Sequence, residues 1–276
     1  MNGCAIVPAY DAARCVGDVV RELVRIWPDP RAVIVVDDGS NDATAKIAEE
    51  AGAIVLRHAR NQGKGAALRT GFRWAHEHGY EVAVTVDADG QHPPAEALRL
   101  LRADAPASAL VLGTRDLVKA GAPRPNQISN RISNFFLSMF ARTIFADTQC
   151  GLRRYPIART LAADGGANGY AFEAEIILRA MASGVAVIEI PIEVIYPPEK
   201  ERLSHFHSVR DPARIIRHVV GTLVETRYMS RPPKQIFVPK APPRAKPIAT
   251  APSAESAPIA TAPSAESAPI VESAAE

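Results

Sequence analysis

Short apolar runs alternate with helix-patterned stretches through the first half of the chain, and no other feature constrains the fold as much. The runs cover residues 4–8, 32–36, 53–56, 82–86 and 110–113. Between them, residues 16–26, 42–51, 64–78 and 95–102 carry apolar side chains at helical spacing. Strands about six residues long, each followed by a helix, build an α/β unit with a mainly parallel sheet. The runs are rich in Val and Ile without strict alternation, as burial on both faces requires. An open sheet of this kind takes its ligand beyond the carboxyl ends of its strands. The polar motifs of this chain fall there.

The second half is less regular. Residues 126–146 read as a long helix carrying Phe135, Phe136, Met139, Phe140, Ile144 and Phe145. Residues 149–155 read as a strand, 172–183 as a helix, 185–191 as another strand and 212–228 as a basic helix. After about residue 230, Pro and Ala dominate, and the segment 248–258 recurs at 259–269. That unit has too few apolar residues to stack a core, so residues 231–276 are expected to form a disordered tail.

Composition narrows the function classes. The formal net charge of +2 gives no support for a nucleic-acid partner. The three cysteines, Cys4, Cys15 and Cys150, lack metal-ligand spacing and suit a reduced, cytosolic setting. The apolar start, Cys4-Ala5-Ile6-Val7, is too short for a signal peptide and has no basic leader. No apolar run reaches the roughly eighteen residues that a bilayer span needs. The expected setting is the cytoplasm, including the inner face of the cell membrane.

Two acidic strand ends carry the chemistry. In Val33-Ile34-Val35-Val36-Asp37-Asp38-Gly39-Ser40, a buried strand ends in two carboxylates and a glycine turn. This pattern serves either as an acidic cap for the next helix or as an acceptor of hydrogen bonds from a ligand's base or ribose. In Thr85-Val86-Asp87-Ala88-Asp89-Gly90-Gln91-His92, side chains two residues apart on an extended chain point the same way. Extension past the strand end would turn Asp87, Asp89 and Gln91 to one side. Three oxygen donors so placed suit Mg²⁺ or Mn²⁺, and such a cation would neutralise charge on a departing diphosphate. His92 is a further ligand or, more simply, a packing and hydrogen-bonding group.

Between these ends lies Asn61-Gln62-Gly63-Lys64-Gly65. It lacks the spacing and the Ser/Thr of an ATP-type phosphate loop. Gly63 and Gly65 instead let a helix starting near Lys64 approach the site closely. Lys64 either supports the donor pocket or is a solvated helix-end lysine.

In order, Pro8-Ala9-Tyr10, Val36-Asp37-Asp38-Gly39-Ser40, Asn61-Gln62-Gly63-Lys64-Gly65 and Asp87-Ala88-Asp89-Gly90-Gln91-His92 resemble the inverting family 2 glycosyltransferases. The similarity is greatest to the dolichol-phosphate mannose synthase-like, or polyprenyl-phosphate glycosyltransferase, branch. It continues through Gly113-Thr114-Arg115, Asn130-Arg131-Ile132-Ser133, Thr148-Gln149-Cys150-Gly151-Leu152-Arg153 and Gly169-Tyr170-Ala171-Phe172-Glu173-Ala174-Glu175. The resemblance implies a GT-A (Rossmann-like) fold over residues 1–230, with a nucleotide-sugar half to about residue 116 and an acceptor half beyond it. It implies a nucleoside-diphosphate sugar donor and a divalent metal. By the same resemblance Pro8, Tyr10 and Asp38 line the nucleotide pocket, and Asp87 contacts nucleotide or metal. Asp89 and Gln91 become the principal metal ligands, and Arg115 and Arg131 hold donor and acceptor phosphates, a task that suits a guanidinium fork. Where the family commonly has Asn-Glu-Glu after the Tyr, this chain has Asp11-Ala12-Ala13.

The acceptor decides whether a base is needed. A lipid phosphate is already ionised near neutral pH, whereas a hydroxyl must lose a proton to a carboxylate. Glu173 and Glu175 are the candidates by position, with an ordinary helix face as the alternative. A polyprenyl phosphate acceptor fits the excess apolar surface of residues 130–145 and the basic, amphipathic residues near 212–228, a pattern that also suits a membrane surface. Arg202, Ser204 and His205 are candidates for an acceptor loop. The alternatives are transfer to a hydroxyl acceptor and a non-catalytic nucleotide-sugar-binding module.

Overall fold

The structure, a computed structural model, describes residues 1–169, 171–196 and 218–224. Strand β1 (Gly3–Ala9) leads into helix α1 (Val16–Ile26). The pattern repeats as β2 (Val33–Asp37) with α2 (Thr44–Glu50), β3 (Ile54–Arg57) with α3 (Lys64–Glu77), and β4 (Val82–Thr85) with α4 (Pro94–Leu101). Then come β5 (Leu110–Arg115) and the long α5 (Arg124–Ala141). Strand β6 (Arg153–Pro156), α6 (Ile157–Ala162), α7 (Ala171–Ala182) and β7 (Val187–Ile192) follow, and residues 218–224 are helical.

The strands form one seven-stranded sheet in the order β3-β2-β1-β4-β6-β5-β7. All neighbours are parallel except β6, which runs antiparallel to both β4 and β5. Every residue of β2 and β4 is buried, so the Val-rich runs do face helices on both sides. Helix α1 shows how those helices are held. It buries Val16, Val19, Val20 and Leu23, which recur at helical spacing on one face. It ends at Trp27, whose indole N–H donates to the carbonyl of Gly3 at 2.9 Å. Removing a fully buried side chain such as Leu23 costs about 2–5 kcal/mol in a packed core.

Three elements depart from the sequence pattern. Helix α5 stops at Ala141 instead of running to residue 146, because Arg142 takes a left-handed conformation at φ 53°. The Ser138 hydroxyl then accepts from the amide of Phe145, which turns back into the core while Ile144 stays exposed. Strand β6 (Arg153–Pro156) starts four residues later than the strand expected at 149–155, and it enters the sheet upside down. The loop before it already lies at the ligand end, with Thr85 Oγ1 donating to the carbonyl of Gly151 at 2.6 Å. The chain can therefore join the sheet only by running away from that end. Six-residue α6 was too short to show a period in the sequence.

Strand β6 brings two fully buried arginines. Arg154 donates to the carbonyls of Leu100, Leu101, Ala103, Ala105 and Pro106, a cation set against the carboxyl end of α4. Arg153 donates to the carbonyls of Cys150, Thr148 and Glu173, fastening the loop before β6 to α7. Of the expected basic helix at 212–228, residues 218–224 are described and helical, with Val219 and Leu223 buried. Arg202, Ser204, His205, the rest of that helix and the Pro/Ala-rich repeat lie outside the described residues.

Candidate active site

The site is built where β1 outruns its neighbour. The ladder between β1 and β4 ends at Ile6↔Thr85, with one further bond from the amide of Val86 to the carbonyl of Ile6. Pro8 lies past that point, so its missing N–H leaves no gap in the pairing with β4. Tyr10 follows at the tip of β1, half-buried. The two acidic strand ends flank this tip, because β2 and β4 are the two neighbours of β1.

At the β2 end, Asp37 and Asp38 are both buried. Asp37 accepts from the amide of Ser40 at 3.0 Å and pairs with Arg57 at 3.1 Å. Asp38 turns inward. Its Oδ1 accepts from the amide of Gln62 (2.9 Å) and from His58 Nδ1 (2.6 Å), and its Oδ2 accepts from the amide of Gly63 (2.7 Å). Thr70 Oγ1 holds the other ring nitrogen of His58 at 3.0 Å. Asp11 stands in the left-handed region at φ 46° and accepts from the amide of Asn41, while its own amide donates to Ser40 Oγ. The departure after Tyr10 thus serves to tie the β1 tip to the turn after β2.

At the β4 end the expected extension does not persist. Residues 88–90 form a turn, with Gly90 at φ 73° and Asp89 Oδ1 accepting from the amide of Gln91 at 3.0 Å. The turn, not strand alternation, sets Asp89 beside Asp87. Gln91 follows the turn partly buried, its carbonyl accepting from the amide of Ile195 at 2.8 Å. Burial opposes ionisation of Asp87, but the charge and hydrogen bond of Lys64 outweigh it and hold its pKa low. At Asp89 burial and the charge on Asp87 outweigh the Gln91 amide and the fields of Lys64 and Arg115, and its pKa is pushed up to about 6.

Two neighbours fix this pair. Gly151 lies so close that a Cβ there would sit 2.2 Å from Asp87 Oδ2. His92 is buried with its Nε2 3.5 Å from the thiol of Cys150, and burial lowers its pKa to about 4. It is a neutral packing group, and its Nδ1 has no partner among the described residues. No group of three or more His, Cys, Asp or Glu arranged to hold a metal occurs among those residues. The Asp87–Asp89 pair nevertheless fits a hard divalent cation. Both are oxygen donors, and Asp89 is short of positive charge where it stands.

Gly63-Lys64-Gly65 joins the two ends. The amide of Gly63 binds Asp38, while Lys64 Nζ lies 2.6 Å from Asp87 and 3.0 Å from Glu173. Lys64 is therefore a bridging cation and not a solvated one. The glycines serve close packing, since a Cβ on Gly63 would meet the carbonyl oxygen of Asn168 at 2.4 Å and one on Gly65 that of Ala167 at 2.3 Å. The Asn168 carbonyl also accepts from the amides of Gly65 and Ala66, so the first turn of α3 is occupied by protein.

Glu173 and Glu175, two residues apart on α7, are engaged differently. Glu173 meets Lys64. Glu175 accepts from the amides of Gly166 and Ala167 and from Arg179, and it pairs with His218 at 3.2 Å. Burial works against its charge, but those amides and Arg179 prevail and lower its pKa. It serves to hold the loop after α6, not to face the other site residues.

Arg115, at the end of β5, is clasped by a residue that the sequence pattern does not single out. Asp147 accepts from Arg115 Nε at 2.6 Å and from Nη2 at 3.1 Å, and it also accepts from Asn130 Nδ2 at 2.7 Å. Burial opposes the charge on Asp147, yet Arg115 holds its pKa low. The one sequence signal for Asp147 is its place directly before the Thr148–Arg153 run. Arg115 and Arg131 line one cleft of about 380 Å³ with Thr114, Gln127, Asn130 and Asn134, so β5 and α5 bring the two arginines together. Arg131 itself is exposed on α5.

This architecture is that of the GT-A glycosyltransferases. The solved glucosyl-3-phosphoglycerate synthase of Mycobacterium tuberculosis, in complex with Mn²⁺, uridine-diphosphate and phosphoglyceric acid, superposes with a TM-score of 0.63. That match covers 82% of this chain and 78% of the other, at 17% identity. The chain belongs to glycosyl transferase family 2, whose family model matches residues 4–159. A polyprenol monophosphomannose synthase of Mycolicibacterium smegmatis is 31% identical over 68% of this chain and 75% of its own length. An undecaprenyl-phosphate mannosyltransferase of Micrococcus luteus is 31% identical over 71% of this chain and 84% of its own. These similarities lie in the polyprenyl-phosphate branch that the motifs resemble.

Proposed function

We propose that this glycosyltransferase moves a sugar, with inversion, from a nucleoside-diphosphate sugar to a polyprenyl phosphate. The cleft that pairs Arg115 with Arg131 beside the Asp87–Asp89 turn carries this reading. Two arginines in one cleft suit phosphate oxygens. The relatives named for polyprenol and undecaprenyl-phosphate acceptors support the same acceptor class.

The donor's nucleotide rests by Pro8, Tyr10 and the Asp38 loop, and its diphosphate lies over Asp87 and Asp89. A divalent cation, Mg²⁺ or Mn²⁺, held by Asp87, Asp89 and Gln91, supplies positive charge for the diphosphate. Lys64 keeps Asp87 ionised and in place. Arg131 holds the acceptor phosphate, and Arg115, with Nε and Nη2 given to Asp147, keeps Nη1 for phosphate oxygen. One acceptor oxygen forms the new bond to the anomeric carbon as the bond to the diphosphate breaks on the opposite face. The attacking oxygen is already ionised, so no protein base is required. This agrees with the state of Glu175, whose oxygens are taken up by internal donors.

A donor screen with Mn²⁺ or Mg²⁺, run with and without polyprenyl phosphate, tests the proposal. Labelled sugar should enter the lipid fraction only when the lipid phosphate is present, and Arg131→Ala should reduce that transfer more than it reduces donor binding. Transfer to a hydroxyl acceptor with no lipid phosphate present would overturn the assignment.

A further inference from the structure

The peptide group between Ala146 and Asp147 is gripped at both of its ends. Its carbonyl oxygen accepts from Asn134 Nδ2 at 2.7 Å, and its N–H donates to Glu189 Oε1 at 3.3 Å. The same Glu189 oxygen accepts from the amide of Ala146 at 2.9 Å. Two consecutive amides on one carboxylate oxygen, with the intervening carbonyl held from α5, fix the plane of this peptide. A fixed plane also fixes the direction in which the Asp147 side chain leaves the backbone. That side chain is the one that clasps Arg115.

Glu189 is an unusual residue for its place. It lies on β7 opposite Leu112 of β5, three residues before the level of Arg115. Burial pushes its pKa up and the charge of Asp147 adds to that, while the amides of Ala146 and Asp147 work the other way. A carboxylate partly buried beside another carboxylate is unfavourable unless its hydrogen bonds matter. Among the described residues, Pro191 of β7 lines the Arg115–Arg131 cleft and Glu189 does not. Whatever Glu189 contributes there passes through Asp147. Both oxygens of Asp147 are engaged in turn. Oδ2 accepts from the amide and Nε of Arg115, and Oδ1 from its Nη2, from Asn130 and from the amide of Gln149. Arg115 is thus oriented by a filled carboxylate whose backbone rests on Glu189.

We propose that Glu189 is a positioning residue of the transfer reaction: through the Ala146–Asp147 peptide it sets the angle at which Arg115 meets the acceptor phosphate. Arg115 and Arg131 line one cleft but stand on different elements, β5 and α5. A phosphate held between two planar guanidinium groups needs both at a fixed spacing and angle. Asn134, on the helix that carries Arg131, binds the carbonyl of the peptide whose N–H Glu189 binds. That peptide gives the two arginines a common frame. The inference rests on the polyprenyl phosphate reading for the identity of the phosphate. It goes beyond that reading in assigning a residue that touches no substrate.

A double-mutant cycle on the full chain tests it. Calorimetry with a short-chain, water-soluble prenyl phosphate reads the acceptor side, and titration with Mn²⁺ and UDP or GDP reads the donor side. Glu189→Ala should weaken prenyl phosphate binding by about tenfold, the scale of one charge-assisted hydrogen bond, and leave nucleotide affinity within about twofold. In an Arg115→Ala background the same substitution should change prenyl phosphate affinity by less than about twofold, because its route is gone. Glu189→Gln keeps a carbonyl acceptor for the two amides and should recover binding to within about threefold of wild type. If Glu189→Ala does not fold, Glu189→Asp, with its oxygens drawn back by one methylene, takes its place in the cycle with the same coupling expected. Unchanged affinity in Glu189→Ala, or equal losses with and without Arg115, would overturn the proposal. So would a parallel loss of nucleotide affinity, or a Glu189→Gln variant no better than Glu189→Ala. A wild type that binds no prenyl phosphate would refute the acceptor assignment. The cycle would then be read from kcat/KM with the acceptor that the donor screen finds, where coupling to Arg115 sustains the positioning role and additivity overturns it.

Discussion

Two strand ends of nearly the same sequence flank β1, Val36-Asp37-Asp38-Gly39 after β2 and Val86-Asp87-Ala88-Asp89-Gly90 after β4, and the fold uses them in opposite ways. Asp38 is closed, since two backbone amides and an imidazole occupy its oxygens. The second end is open. Lys64 reaches Asp87 but is shared with Glu173, and burial beside Asp87 raises the pKa of Asp89 to about 6. A carboxylate saturated by protein donors organises a loop, whereas one left short of positive charge is suited to a cation. The alternation of Asp, Ala and Asp did not create that difference. The Gly90 turn and the nearness of Gly151 did.

Substitutions should separate the two ends. The largest effect is expected from Asp89→Ala, which should lower kcat/KM by about a thousandfold, the scale of several kcal/mol of charge stabilisation. Steady-state kinetics across a range of Mn²⁺ would show it, and near-normal activity would place the cation elsewhere. Gly151→Ala comes next. Its new methyl would press on Asp87 Oδ2, and cation affinity should fall by about 10–100-fold, as with other changes that misplace a ligand. Calorimetric Mn²⁺ titration would measure it, and unchanged affinity would mean that the loop before β6 yields freely.

A pH series sharpens the contrast further. Protonated Asp89 is a poor ligand, so Mn²⁺ affinity should rise as pH climbs through about 6 and fall by up to about tenfold per unit below it. The sign for stability is the reverse. A carboxylate whose pKa is raised in the folded state stabilises the fold most at low pH, and that contribution fades as pH rises through about 6. Added Mn²⁺ should therefore raise the melting temperature more at about pH 7.5 than at about pH 5. The smallest effect on cation binding is expected from Asp38→Asn. It should cost about 1–3 kcal/mol of stability by leaving buried donors poorly matched, while Mn²⁺ affinity stays within about twofold. Loss of cation binding in that variant would erase the distinction between the two ends.

The first half of the fold was legible because each strand is a buried Val/Ile run and each helix an amphipathic one. The acceptor half was harder for identifiable reasons. Nothing local announces that Arg142 turns left-handed and ends α5, or that β6 enters from the ligand end. The site divided in the same manner. Asp87, Asp89 and Lys64 stand on motifs that adjoin strand or helix ends, and the fold gathers them. Asp147, His58 and Gly151 act on residues distant in sequence, Arg115, Asp38 and Asp87, and although Gly151 lies in the Thr148–Arg153 run and Asp147 directly before it, nothing local assigns those contacts. The exposed apolar side chains of α5, Phe135 and Met139 among them, were visible as surplus apolar surface, but their separation from the core-facing residues needed the structure.

The central claim is that Asp87 and Asp89 together hold the cation on which the donor's diphosphate rests. Crystals soaked with Mn²⁺ and UDP or, separately, GDP, and measured at the manganese edge, would test it most directly. The account predicts one anomalous peak between the two carboxylates and in contact with the diphosphate. A diphosphate bound with no peak there, Lys64 still seated on Asp87 and Asp89 turned away, would contradict it.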